Sequence, residues 1–155
     1  MKQINEKIIC QNKKAYHNFF IEEEIEAGIV LRGTEIKSIR MGKVSISEAY
    51  CEIKKGEMII VGMNISPYDK GNIFNHQPDA TRKLLLHHKE IIKLGNLIQR
   101  EGYTIVPLRV ALRNGLAKVD IGLAKGKKLY DKREELKKED DIAYMKKNMK
   151  EKQYD

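Results

Sequence analysis

Cysteine is nearly absent from this chain: Cys10 and Cys51 are the only two in 155 residues, and no CxxC spacing joins them. Neither a disulfide framework nor a zinc site is indicated, and a reducing cytosol is the compartment that fits, with both thiols half-buried on strands. Long apolar runs are missing too. No stretch approaches the roughly 18 apolar residues of a membrane-spanning helix. The opening segment MKQINEKIICQNKK alternates polar and apolar residues without the continuous apolar core of a signal peptide. No membrane association is expected, and the localisation that follows is cytoplasmic.

The groups that perform catalysis are equally sparse. His17, His76, His87 and His88 show neither His-x3-His nor His-Glu-x-x-His spacing. The four serines stand outside any GxSxG elbow. No glycine-rich phosphate loop follows a strand, and no βαβ alternation occurs, which argues against a nucleotide-binding α/β fold. The acidic clusters at 22–24 and 139–141 read as solvated charge rather than as metal ligands. No catalytic residue, metal or cofactor is expected; the chain does not read as an enzyme.

Positive charge is abundant. Thirty Lys and Arg against 22 Asp and Glu leave a formal net charge of +8 and a pI of about 9.4. A basic surplus favours polyanions, because each cation set against a phosphate releases a condensed counterion. Nucleic acid is therefore the first partner to consider. Basic residues interleave with aromatics in NKKAYHNFF and KGKKLYDKR, a pattern that lets ammonium groups track phosphates while rings stack on bases. Tyr16, His17 and the Lys125–Lys128 cluster fit that role, while Phe19 and Phe20 read as core and surface residues of one strand.

Local patterning predicts a body from about residue 5 to 124. A short helix follows Gly33, with Ile36, Ile39 and Arg40 at helical spacing and Thr34 as the expected cap. ISEAYCEI alternates with period two over 46–53, and KKGE turns the chain into a partner strand, MIIVGMNI. Asn114-Gly115 stands between two alternating runs, and that dipeptide favours the positive φ values of a tight primed turn. HKEIIKLGNLIQREG predicts a longer helix with Ile91, Leu94 and Ile98 on one face and Gly102 as its stop. The Pro-, Gly-, Asn- and Asp-rich stretch SPYDKGNIFNHQPDATRK predicts a long loop. Five or six short strands with two or three helices imply a small antiparallel barrel or sandwich.

Past Ala124 the texture changes. Residues 125–155 hold eleven Lys/Arg and eight Asp/Glu, with Leu129, Leu136, Ile142, Met145 and Met149 as a weak helical stripe. Such a segment buries too little apolar surface to offset a backbone ordering cost of roughly 1–2 kcal/mol per residue. It is expected to be disordered alone and helical against a partner.

Several words occur together: FFIEEEIEAGIVLRGTEIKSIRMGK, NISPYDKGNIFNHQPDATRKLLLHHKEI, REGYTIVPL and NGLAKVDIGLAKGKKLYDKRE. From about Asn12 to Glu134 they resemble the SsrA-binding protein family, also called small protein B. The resemblance implies a bacterial, cytoplasmic RNA-binding factor of trans-translation. The implied fold is mainly β with flanking helices: a closed antiparallel barrel of oligonucleotide-binding type over 1–124, with the basic tail of 125–155 ordering on binding. The implied partners are the tRNA-like domain of transfer-messenger RNA, the stalled ribosome, and elongation factor Tu with GTP acting through the charged RNA; the protein is expected to be a monomer.

The resemblance also carries residues. The RNA-binding surface falls on Glu26, Leu85 and Lys118, with His17, Lys125, Lys127 and Lys128 nearby. Glu26 would accept from a base amino or imino group, or orient Lys118, whereas a cross-strand ion pair is the alternative without RNA contact. The tail would fold in the empty messenger channel beside the decoding centre through Asp131, Lys132 and Arg133, with Tyr144 and Met145 further on; Tyr144 stands where an aliphatic residue is usual. Two other readings remain open: a general single-strand binder or basic ribosome-associated protein, whose affinity tracks strand length and salt alone, and an RNA-processing enzyme using an acidic cluster with a metal.

Overall fold

The computed structural model of the chain describes residues 5–69 and 75–127. In chain order, the elements among them are β1 (Glu6–Gln11), α1 (Lys13–Asn18), β2 (Phe19–Ile29), α2 (Gly33–Arg40), β3 (Val44–Ser45), β4 (Tyr50–Lys54), β5 (Glu57–Val61), β6 (Asn64–Ile65), β7 (Arg82–Leu85), α3 (His88–Glu101), β8 (Thr104–Arg113) and β9 (Leu116–Gly126). The protein is mainly β sheet with a few helices.

Seven strands lie in the order β1-β8-β4-β5-β7-β2-β9, all pairings antiparallel, and β9 also pairs with β8. The strand order therefore returns to β8. Two hairpins drive this arrangement. Asn114 (φ 52°) and Gly115 (φ 81°) form the predicted turn between β8 and β9, and Lys55 (φ 52°) with Gly56 (φ 76°) joins β4 to β5 in the same way. Both turns carry two successive positive-φ residues, which matches the right-handed twist of the flanking strands.

Inward-facing residues of this sheet make the main core: Ala27, Met58, Ile60, Leu84, Ile105, Val110, Val119 and Ile121 are fully or almost fully buried. α2 adds Ile39, and α3 adds Ile91 and Leu94 from the face predicted for it. A second, smaller cluster lies outside the sheet, where α1 covers Val106, Leu108 and Ala124 with Ala15. β8 thus has apolar residues on both faces, which explains its nearly continuous run IVPLRVAL. Pro107 is tolerated there because it sits at a register shift, where its carbonyl accepts a hydrogen bond from Asn12 Nδ2 at 3.1 Å.

Four local expectations are corrected. Thr34 does not cap α2; Arg32 does, its backbone N–H donating to Glu35 Oε1 at 2.7 Å, and the Thr34 hydroxyl instead meets His76 Nδ1 at 2.9 Å. The strand read from residue 46 begins at Tyr50, because Ile46 accepts a turn hydrogen bond from the Ala49 amide. The long loop ends at Thr81, since Arg82 and Lys83 already belong to β7. β9 carries the body two residues past Ala124, through Lys125 and Gly126.

That loop is anchored by a buried ion pair. Arg82, 4% exposed, pairs through Nε with Glu35, and its remaining N–H groups donate to the carbonyls of Met63 (2.7 Å), Ala80 (3.0 Å), Gln77 (3.1 Å) and Pro78 (3.1 Å). All five guanidinium donors are satisfied, as burial of a charge requires. His76 adds a second clamp: its Nε2–H donates to the Ile65 carbonyl at 2.9 Å, which leaves Nδ1 to accept from Thr34.

Candidate nucleic-acid interface

β2 is central to the outer surface because it pairs with β7 on one side and β9 on the other. At its C-terminal end Gly28 faces Leu85 across one ladder and Lys118 across the other, so the three residues form a row over three strands. Two positions back along β2, on the same face, stands Glu26. A cleft of about 400 Å³ opens here, lined by Glu26, Gly28, Leu85, Lys118, His87 and Glu90. Leu85 is 51% exposed, an apolar side chain left facing solvent. Gly28 makes the room: a Cβ there would lie 3.2 Å from Leu85 Cβ and 3.4 Å from its Cδ1. The structure thus brings together Glu26, Leu85 and Lys118.

Glu26 does not stand alone. Its Oε1 lies 4.0 Å from Lys118 Nζ, and its Oε2 accepts from Arg113 Nη1 at 2.8 Å. Arg113 also grips Asp120 with both terminal nitrogens at 2.7 Å and reaches Glu6 through Nε. Arg109 continues the chain, bonding Asp120 (2.8 Å), Glu24 (2.7 Å) and the Tyr16 hydroxyl (2.7 Å), while that hydroxyl donates to Glu24 Oε2 at 2.8 Å. An unbroken ladder of charge therefore runs from Lys118 to Tyr16. Burial would raise the Asp120 carboxyl, but the hydrogen bonds from Arg113 and Arg109 outweigh it and hold it below its ordinary value. The hydrogen bond from Arg109, with that from Tyr16, lowers Glu24 likewise.

The other RNA-assigned residues sit elsewhere. Phe19 and Phe20 pair with Gly126 and Lys125, nine and eight residues along β2 from Gly28, roughly 26–30 Å at about 3.3 Å per residue. His17, Lys125 and Lys127 belong to that far end and not to the Glu26 cleft, which corrects the expectation that they lie close to it. His17 is exposed in the last turn of α1 rather than packed under the sheet. Lys127 Nζ donates to the Tyr16 carbonyl at 3.0 Å and lies 5.3 Å over the Phe20 ring; Lys125 lies 4.4 Å over Tyr103. Tyr16 and Phe20 are 43% and 42% exposed, so this end presents aromatic faces beside cations. Phe19 packs on the small outer cluster, as a strand residue should. The acidic run 22–24 is partnered: Glu22 accepts from Tyr103 at 2.6 Å, pushing that hydroxyl up to about 12, Glu23 lies 3.8 Å from Lys93, and Glu24 belongs to the ladder.

Lys128, Asp131, Lys132, Arg133, Tyr144 and Met145 lie outside the described residues. Sequence reasoning missed Gly28, Arg109, Arg113 and Asp120. One signal was available: counting outward from the Asn114-Gly115 turn places Arg109 opposite Asp120, an ion pair written into the hairpin. No helix among the described residues is long and apolar enough to cross a membrane.

Three kinds of likeness bear on this surface. The family model described as "SmpB protein" matches residues 9–151. The SsrA-binding protein of Geotalea uraniireducens is 58% identical over 137 residues, covering 88% of this chain and 91% of its own. That of Acetivibrio thermocellus is 54% identical over 151 residues, covering 97% and 98%. A solved structure described as "tmRNA-SmpB: a journey to the center of the bacterial ribosome" superposes with a TM-score of 0.63 at 42% identity, covering 76% of this chain and 83% of that one.

Proposed function

This chain belongs to the SmpB protein family, and from that membership we propose that it binds the tRNA-like domain of transfer-messenger RNA and brings it to stalled ribosomes in trans-translation. The observation that carries this reading is the match of family model and relatives over nearly the whole chain, with close to the whole length of the relatives covered in return. The cleft is consistent with it. Glu26, Leu85 and Lys118 offer an acceptor, an apolar platform and a donor within one row, the mixture that base-edge contact and stacking require.

On this reading the ring of paired strands is a closed barrel of oligonucleotide-binding type, and the protein acts as a monomeric, non-enzymatic RNA-binding factor in the cytoplasm. The far end of β2, with His17, Lys125, Lys127 and its exposed rings, is a further contact for RNA, and the chain beyond residue 127 enters the vacant messenger channel. Elongation factor Tu with GTP joins through the aminoacylated RNA rather than through a surface of its own on this protein.

The test is competitive binding at one fixed salt concentration. The full chain is offered the tRNA-like domain against an unstructured RNA of equal length. Strong preference for the folded RNA, weakened by Glu26→Ala and by Lys118→Ala, is the expected result. Equal competition by the unstructured RNA would overturn the reading in favour of a general single-strand binder.

A further inference from the structure

The groups that meet in the cleft form an ordered row. Lys118 Nζ comes first, then Glu26 Oε1 at 4.0 Å, then Oε2, which is held in place from behind by Arg113 at 2.8 Å. In hydrogen-bonding terms this edge reads donor, acceptor, acceptor. A carboxylate has about four lone-pair sites, so Oε2 keeps capacity for a second donor beside Arg113.

Among the four bases, guanine alone presents the complement along its Watson–Crick edge: the O6 acceptor, then the N1–H and N2–H donors in succession. Adenine and cytosine each offer one donor group beside acceptors, and uracil a single imino donor between two carbonyls. The geometry points to the cleft as a reader of one unpaired guanine. O6 accepts from Lys118, N1–H donates to Glu26 Oε1, and N2–H donates to Oε2. The ring lies against Leu85 over the floor that Gly28 leaves open. The volume, about 400 Å³, lies at the lower end of the roughly 300–1,000 Å³ usual for small-ligand pockets, suiting one base rather than a helix edge.

Arg113 is a positioning residue in this scheme. With Asp120 fixed by two further hydrogen bonds, it sets the rotamer of Glu26 before RNA arrives, so that little side-chain freedom is lost on binding. The inference rests on the reading that this face binds RNA, and it adds which base is recognised and by which atoms.

The test uses the full chain and a pool of tRNA-like domain transcripts in which guanosine is replaced at random by inosine phosphorothioate. Inosine lacks only the N2 amino group. After selection for binding, iodine cleavage maps the positions where the substitution is excluded. The expected result is strong exclusion at an unpaired guanosine, corresponding to binding weaker by about ten- to a hundredfold, the size of one charge-assisted hydrogen bond. Exclusion at that position should vanish with Glu26→Gln, whose amide replaces one acceptor by a donor, and exclusions within stems should stay as they were. Lys118→Met should weaken binding overall yet keep the inosine effect, because its partner is O6. Glu26 is solvent-exposed, and Arg113 retains Asp120 and Glu6 without it, so Glu26→Gln leaves the fold intact. Absence of exclusion at any unpaired guanosine, or exclusion that persists in Glu26→Gln, overturns the inference while leaving the family reading in place. Failure of the full chain to select the RNA over an unstructured competitor overturns both.

Discussion

Asp120 illustrates how single residues set the behaviour of this surface. It lies buried in β9 beneath two guanidiniums, and with Glu24 it has a carboxyl held below its ordinary value, 3.8 for Asp120 and 4.5 for Glu24. A carboxylate depressed in the folded state contributes stability that is present above the ordinary range and lost as pH falls through it toward the lower folded value. The urea midpoint should therefore hold steady near neutrality and decline below about pH 4.5, the onset of ordinary carboxylate titration. Arg113→Met should lower stability at pH 7 by about 1–3 kcal/mol, because it removes charge-assisted hydrogen bonds to the buried Asp120 and to Glu26 and Glu6. It should also flatten the acid decline. A midpoint that fell equally steeply in both proteins would assign the acid sensitivity to other carboxylates. Glu26, Leu85 and Lys118 were legible only through likeness to a family; Gly28 was not, because its importance is the proximity of Leu85, a residue 57 positions away in the chain.

Elements show the same division between local and distant causes. α3 was legible as a whole: its apolar stripe, its left-handed stop at Gly102 (φ 72°) and its length follow from neighbours within a few turns. Gly95 lies inside it, and a Cβ there would sit 3.6 Å from Ile53 Cδ1, an ordinary contact. Gly95→Ala should thus stabilise the protein by about 1 kcal/mol, seen as a rise of roughly 2–8 °C in Tm; a fall would mean that Ile53 cannot accommodate the methyl group. α2 behaves differently. Its buried Glu35 and the loop at 75–81 depend on Arg82, which lies beyond the loop in sequence. Arg82→Met should cost about 3–5 kcal/mol in chemical denaturation, because it strands a buried carboxylate and four carbonyls. A loss under 1 kcal/mol would show the pair to be dispensable.

At the scale of the molecule, the two ends of β2 carry different chemistry. One holds the Glu26 cleft and the other the cation–aromatic cluster from which the chain leaves toward its basic tail. If the cleft serves one RNA and the tail another, the functions should separate. A protein ending at residue 130 should bind the tRNA-like domain within about twofold of the full chain, well under the 1.4 kcal/mol that makes a tenfold change. It should nonetheless fail to support peptide tagging on stalled ribosomes in a reconstituted translation assay. Loss of RNA affinity on truncation would show that the tail belongs to the same binding surface as the cleft.

By itself the sequence determined what short-range physics decides: the two tight turns, the stripe of α3 and a charge surplus suited to polyanions. Residues within a few positions of one another settle each of these. Only the tertiary structure decided which residues share a face. It separated His17, Lys125 and Lys127 from Glu26 along one long strand. It also set Gly28 between Leu85 and Lys118, and it threaded Arg113 and Asp120 behind Glu26. Those placements follow from strand order and register, which come from pairings between segments far apart in the chain and are therefore not written in any one stretch of it.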